Sequence, residues 1–345
     1  MSIHSEILEQ PSRLEDLLRS QRKHALEIAR TLRKQDIRFI FLAARGTSDN
    51  AGRYANYLWG ARNGLPMALA TPSLFTYYQQ PPKLSGALVV GVSQSGQSPD
   101  VVSVLEEGKR QGCPTLAITN SPDSPMAQTA DLVLEIMAGK ETAVAATKTY
   151  TAELMAVAML SAALQDQEAA WRELEAVPGW ASKVLELDPV IANSTQRYRY
   201  MSRCVVLGRG FNYATAFEWS LKLKEMTYVA AEPYSTADFL HGPIAMLEKG
   251  FPVLAVAPQG KVFHSMIEVL ELVSKQQGAE LVVISDSLQA LDIAQTPIPL
   301  PTGIAEWLTP IICIIPAQLY AYHLTKIKGF DPEAPRSLHK ITETH

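Results

Sequence analysis

Short apolar runs alternate with longer amphipathic stretches along most of this chain. Leu14–Lys34 carries apolar positions at helical spacing with charges between them. Ile37–Ala44 is a compact apolar run, read as a strand. A helix follows to about Ala61, then a short strand at Met67–Ala70, a strand at Ala87–Val92 and a helix from Pro99 to about Gln111. Thr115–Ile118 and Leu132–Ile136 are further strands, and Val144–Leu164 is predicted to be a long apolar helix. Strand alternating with helix predicts an α/β fold with a parallel, doubly wound sheet.

Asp166–Asp188 is polar and helical, broken by Pro178-Gly179, and reads as a bridge. The pattern then restarts with strands at Cys204–Leu207, Pro252–Val256 and Leu281–Ile284. Arg209-Gly210 lies 164 positions beyond Arg45-Gly46, and Gly260 lies 164 beyond Gly96. A constant offset at two points indicates an internal duplication. The expected architecture is therefore two tandem doubly wound parallel-sheet domains.

Composition bounds this picture. The 345 residues are 47% hydrophobic, enough for a large core, and the net charge of -4 with no dense Lys/Arg block argues against nucleic acid or an anionic membrane as partner. Cys113, Cys204 and Cys313 lack metal-ligand spacing; Cys204 and Cys313, in apolar runs, read as small buried hydrophobes, and a reducing, cytoplasmic setting fits. The N-terminus has no uninterrupted apolar core of a signal peptide. Trp307–Leu324, interrupted by Pro310 and Pro316, reads as a buried helix rather than a membrane span.

The chemistry concentrates in loops. Val92 ends a strand, Ser93-Gln94-Ser95-Gly96-Gln97-Ser98 follows, and Ser98-Pro99-Asp100 has the residue types of a helix start. Strand, small-donor loop and helix N-terminus present backbone N–H groups to an anion. No lysine or arginine lies in the loop, so a phosphate held by neutral donors is expected. An ordinary strand-to-helix turn has the same residue types, and both readings stay open on composition alone. Arg45-Gly46-Thr47-Ser48 is a second such loop, and in parallel sheets both would lie beyond the carboxyl ends of strands, where ligands bind. The second copy has Ala257-Pro258-Gln259 in place of Ser-Gln-Ser, which predicts a retained fold, a lost phosphate site and one site per chain.

Glu218, Lys222 and Glu225 are spaced i, i+4, i+7 on one helix face. A solvated ion-pair ladder has that pattern too. Trp219, Leu221, Leu223 and Met226 make the rest of the helix apolar, which favours a charged strip facing a polar site.

Several separated motifs in order carry a resemblance: the GTS after the first strand, SQSG, ATKTYT at Ala146–Thr151, LKLKE at Leu221–Glu225, HGP at His241–Pro243 and PRSLHK at Pro335–Lys340. Together they resemble the SIS (sugar isomerase) family, and within it the isomerase half of the glutamine:fructose-6-phosphate amidotransferases. The resemblance implies two flavodoxin-like SIS domains, at 35–165 and 196–330, preceded by a helical segment at 1–34, joined by a helical bridge at 166–195 and closed by a tail at 331–345 over the active site. It assigns the phosphate to Ser48, Ser93, Gln94, Ser95 and Ser98, and places Thr47 and Val144 near the sugar. Glu225 takes the place of the base, His241 of the ring-opening histidine and Lys340 of the lysine that forms a Schiff base. Glu218 and Lys222 are its supporting charged residues. The family also implies a homodimer with a shared active site to which the partner supplies His241. No step of the implied chemistry needs a metal or redox cofactor, and no ligand cluster for one is visible in the sequence.

The amidotransferases carry a glutaminase domain with a catalytic cysteine at position one after processing. Here Met1 is followed by Ser2 and the two domains take up the chain. Arg45, Gln97 and Ala146 also replace the usual Cys, Glu and Ser. The expectation is therefore a glucosamine-6-phosphate deaminase that works without glutamine. A fructosamine-6-phosphate deglycase would share the anchor and base. A non-catalytic phosphosugar sensor would need an output module and could dispense with Glu225, His241 and Lys340.

Overall fold

The computed structural model describes residues 2–338 and 340. They divide into two units: 9–142, 146–178 and 340 in one, and 2–8, 143–145 and 179–338 in the other.

The first unit is built on strands β1 (Phe39–Ala43), β2 (Met67–Leu69), β3 (Ala87–Val92), β4 (Thr115–Thr119) and β5 (Leu132–Glu135). All pairings are parallel and the order is β2-β1-β3-β4-β5. Phe39 pairs with Ala87, and Ala43 with Gly91. β3 is central and every residue in it is buried, which is why it reads as an unbroken apolar run. Helix Pro99–Arg110 puts Val101, Val104 and Leu105 against Val89, Ala117 and Met126. Helices Gln10–Leu32 and Gly46–Asn63 both pack on Lys148–Gln165, which is buried on nearly all sides and correspondingly apolar all round.

That last helix starts at Lys148, not at Val144 as its apolar run implied. The Glu141 carboxylate accepts the backbone N–H of Thr147 at 2.8 Å and of Thr149 at 3.2 Å, so an acid from outside the helix satisfies its first turn.

The second unit repeats the plan with β6 (Arg203–Leu207), β7 (Ala230–Tyr234), β8 (Pro252–Val256), β9 (Glu280–Ser285) and β10 (Thr296–Pro299) in the order β10-β9-β8-β6-β7, again parallel. Read from the β7 edge, this is the order of the first sheet. The backbone repeats in detail as well. Arg45 and Arg209 have φ/ψ of -138/151° and -142/155°, and the glycines after them have φ of +54° and +61°. The stretch 166–195 folds mainly as helices Glu168–Glu175, Val177–Leu185 and Asp188–Ser194. Glu306–Ile327 is long and apolar enough to cross a membrane, but 89% of its most apolar window is buried inside the fold. Within the second unit, helix Thr309–Ile327 packs against Tyr213–Lys222, Asp188–Ser194 and Ile3–Leu8. The three cysteines are buried, and burial pushes their thiols up.

Candidate functional site

In the first sheet the strand order reverses between β1 and β3, and such switch points open a crevice at the carboxyl ends of the strands. Ser93–Ser98 leaves β3 there and Arg45–Ser48 leaves β1. The serine loop is braced by its own hydroxyls: Ser93 Oγ accepts the Gly96 N–H at 3.1 Å and Ser95 Oγ accepts the Gln97 N–H at 3.3 Å. The Gln94 carbonyl accepts from Asn120 N–H and Thr119 Oγ1. Gly96 has φ +62°, and a Cβ there would lie 2.1 Å from Ser124 Oγ, so both backbone and space require glycine. Ser98 occupies the N-cap of helix Pro99–Arg110 without a capping bond from its side chain.

The neighbouring loop brings what the serine loop lacks. Arg45 Nε lies 2.5 Å from the buried Asp100 carboxylate in the first turn of helix Pro99–Arg110. A guanidinium, half exposed and with further donors, therefore stands next to the serine loop, and neutral donors are not the whole of its surroundings. Ser48 donates its hydroxyl to the buried Glu153 at 2.8 Å, while Thr47 sits half-buried in the first turn of Gly46–Asn63.

In the second unit, Lys222 is enclosed by Glu218 at 3.3 Å and Glu225 at 2.5 Å. Burial alone pushes the ammonium's pKa down, but the two carboxylates more than reverse this and hold it above the ordinary lysine value. Lys222 is thus a fixed cation. The three residues do not share one continuous α-helix as their spacing predicted. The α-helix ends at Lys222, and Leu223–Thr227 forms a π turn closed by Tyr228 at φ +57°. Wider turns of this kind often mark functional positions. Here the turn carries Glu225, whose side chain is 23% exposed while those of Glu218 and Lys222 are 0% and 1%. Glu225 is the member of the cluster that reaches solvent.

His241 is exposed, just after helix Thr236–Leu240, and its backbone N–H bonds to the Asp238 carbonyl. Among the described residues its ring takes no part in the Lys222 cluster. Val144 is half-buried in the short 143–145 stretch of the second unit, beside Ala143, whose N–H is held by Glu6.

Lys340 belongs with the first unit, where its Nζ lies 2.6 Å from Oε2 of the buried Glu141. Burial pushes that carboxyl up, but the Lys340 charge and the donors of Thr147 and Thr149 outweigh it and hold its pKa below the usual glutamate value. Glu141 escaped the sequence reading. Its signal was a single acid in Gly139-Lys140-Glu141, just ahead of a helix whose first N–H groups needed an acceptor. Glu153 and the pairing of buried Lys148 with half-buried Glu9, 3.0 Å apart, were missed as well, because a lone charge inside an apolar helix has no readable partner.

The profile of the SIS domain family matches residues 32–163 and 198–328. Over 97% of its length the chain is 33% identical to the glutamine–fructose-6-phosphate aminotransferase (isomerizing) of Pyrococcus horikoshii, and it spans 56% of that protein. Over 97% it is 32% identical to the enzyme of the same name from Thermus thermophilus, spanning 57% of it. Among solved structures, the C-terminal domain of glucosamine-fructose-6-phosphate aminotransferase from Francisella tularensis superposes with a TM-score of 0.86 at 28% identity, covering 95% of this chain and 96% of that one. Two matched segments, each with the same five-stranded order, make the conclusion direct: the chain belongs to the SIS domain family and carries two such domains in tandem.

Proposed function

We propose that this protein is an isomerase of amino sugar phosphates that converts glucosamine 6-phosphate to fructose 6-phosphate and ammonia. The observation that carries the reading is Glu225, held on a π turn by a buried lysine and exposed on one side only. A carboxylate so placed is suited to move a proton between adjacent carbons. Family membership and the aminotransferase relatives support the substrate class.

In this mechanism the serine loop and helix N-terminus, with Arg45 beside them, anchor the 6-phosphate. His241, supplied by a second copy in a homodimer, assists opening of the pyranose. Glu225 takes the C2 proton of the open aldehyde and returns it to C1, leaving an imine at C2. Water adds to C2 and ammonia departs, giving the ketose. Lys340, released from Glu141, can exchange onto C2 and speed that departure. Lys222 holds the Glu225 carboxylate in place through their ion pair. Val144 and Thr47 border the sugar.

Purified protein with glucosamine 6-phosphate and no glutamine should release ammonia and fructose 6-phosphate in equal amounts. Glu225→Gln should lower kcat by about 10²–10⁴-fold with an unchanged unfolding profile. Binding without turnover by the unaltered protein, or near-normal turnover by Glu225→Gln, rejects the reading. Release of a free amino acid from a fructosamine 6-phosphate in place of ammonia would redirect it to a deglycase. Mixing His241→Ala with Glu225→Gln chains should restore activity if the site is shared between subunits.

A further inference from the structure

Away from these loops, the second unit gathers three side chains that its sequence scatters. Helices Ile3–Leu8 and Asp188–Ser194 both pack on Thr309–Ile327. Their packing sets His4 Nε2 2.9 Å from Asp188 Oδ2, and His323 Nε2 2.6 Å from Asp188 Oδ1. One atom from each residue lies within 4.8 Å of the other two. The His4 ring is stacked on Tyr322 at 4.8 Å, which fixes its plane, and the Ile3 N–H is held by both Glu333 oxygens at 3.0 and 3.1 Å, which fixes the backbone that carries it. The side chains are 28%, 22% and 15% exposed, so the cluster is anchored yet open to solvent on one side.

We propose that His4, Asp188 and His323 form a binding site for one zinc-like divalent transition-metal ion. Two imidazoles and one carboxylate are a common three-ligand set for zinc, with water as fourth ligand. Ligand arms of ~2.0–2.2 Å put tetrahedral donor atoms roughly 3.3–3.6 Å apart, close to the 2.6 and 2.9 Å of the two His–Asp contacts. The ion takes the place of the two imidazole N–H donors between the rings and the carboxylate. Each imidazole binds the ion through Nε2 as the neutral tautomer with its proton on Nδ1, so the Nε2 proton is displaced on binding, and no redox step is involved. Bound metal ties the N-terminal helix to the helix that follows residue 187 and to the long buried helix. The role is one of stabilisation, separate from the Glu225 cluster and independent of the proposed reaction.

The test uses the full chain, with any affinity tag removed and after chelator treatment and dialysis. Titration with Co²⁺ should load one equivalent per chain with a tetrahedral visible spectrum, and excess Zn²⁺ should displace it. At 100 times Kd, Zn²⁺ should raise the thermal midpoint by about 5 °C. His4→Phe, which keeps the ring on Tyr322, and Asp188→Asn should each weaken Co²⁺ binding more than about tenfold. The His4 side chain is more exposed than that of His323, so its variant remains informative even if His323→Phe does not fold. Absence of Co²⁺ uptake, an octahedral spectrum, or uptake unchanged in His4→Phe overturns the proposal and leaves a hydrogen-bonded clamp. Turnover of glucosamine 6-phosphate bears only on the Glu225 reading, so the two proposals fail separately.

Discussion

Gly96 shows how much one residue can carry. Gly96→Ala must place a Cβ at φ +62° against Ser124 Oγ, and should cost about 1–3 kcal/mol of stability, read from urea midpoints. If the proposed function holds, the same variant should also bind sugar phosphate more weakly, because that turn positions the Ser93 and Ser95 hydroxyls. Lys222→Met would leave Glu218 and Glu225 with no cation between them, and should cost about 3–5 kcal/mol in the same measurement. Glu141 makes a pH prediction. Its folded-state pKa lies below the ordinary value, so its contribution is complete above about pH 4.3 and fades as pH falls through the lowered value. Glu141→Gln should therefore flatten the acid limb of the stability curve, measured by urea unfolding at stepped pH. Glycine, serine and the spaced charges were legible in the sequence because each has a strong local preference. Glu141 and Glu153 were not, since their meaning lies in donors far along the chain or on another helix.

At the scale of elements, legibility followed burial. The central strand β3 and its counterpart β8 stood out because both faces of each are covered. β7, with sequence AAEPY, and β10, with TPIP, went unread because edge strands tolerate proline and polar side chains. The π turn was equally hidden, as the spacing of Glu218, Lys222 and Glu225 is the same whether or not the last turn widens. The duplication, by contrast, was visible from glycines alone, and the structure explains how the second copy changed. There the loop N–H groups do not rest on serines. Gln259 N–H donates to Asp286 at 2.7 Å and Lys261 N–H to Glu306 at 2.8 Å. A Cβ on Gly260 would run into the Glu306 carboxylate. Glu306→Ala should therefore loosen this loop and lower stability by about 1 kcal/mol, measured as a shift in the urea midpoint.

Across the whole molecule, two units of one design differ in what sits at their loops. Calorimetric titration with a sugar 6-phosphate should accordingly saturate at one equivalent per chain, and two equivalents would refute the division of labour between the copies. On the proposed function the first copy offers hydroxyls and helix ends to an incoming anion, whereas the second keeps acidic side chains of its own against the corresponding turn. That copy is in effect permanently complexed. Its backbone has no reason to tighten when the substrate arrives, so slowing of amide exchange upon ligand addition should fall on 93–98 and leave 257–262 untouched.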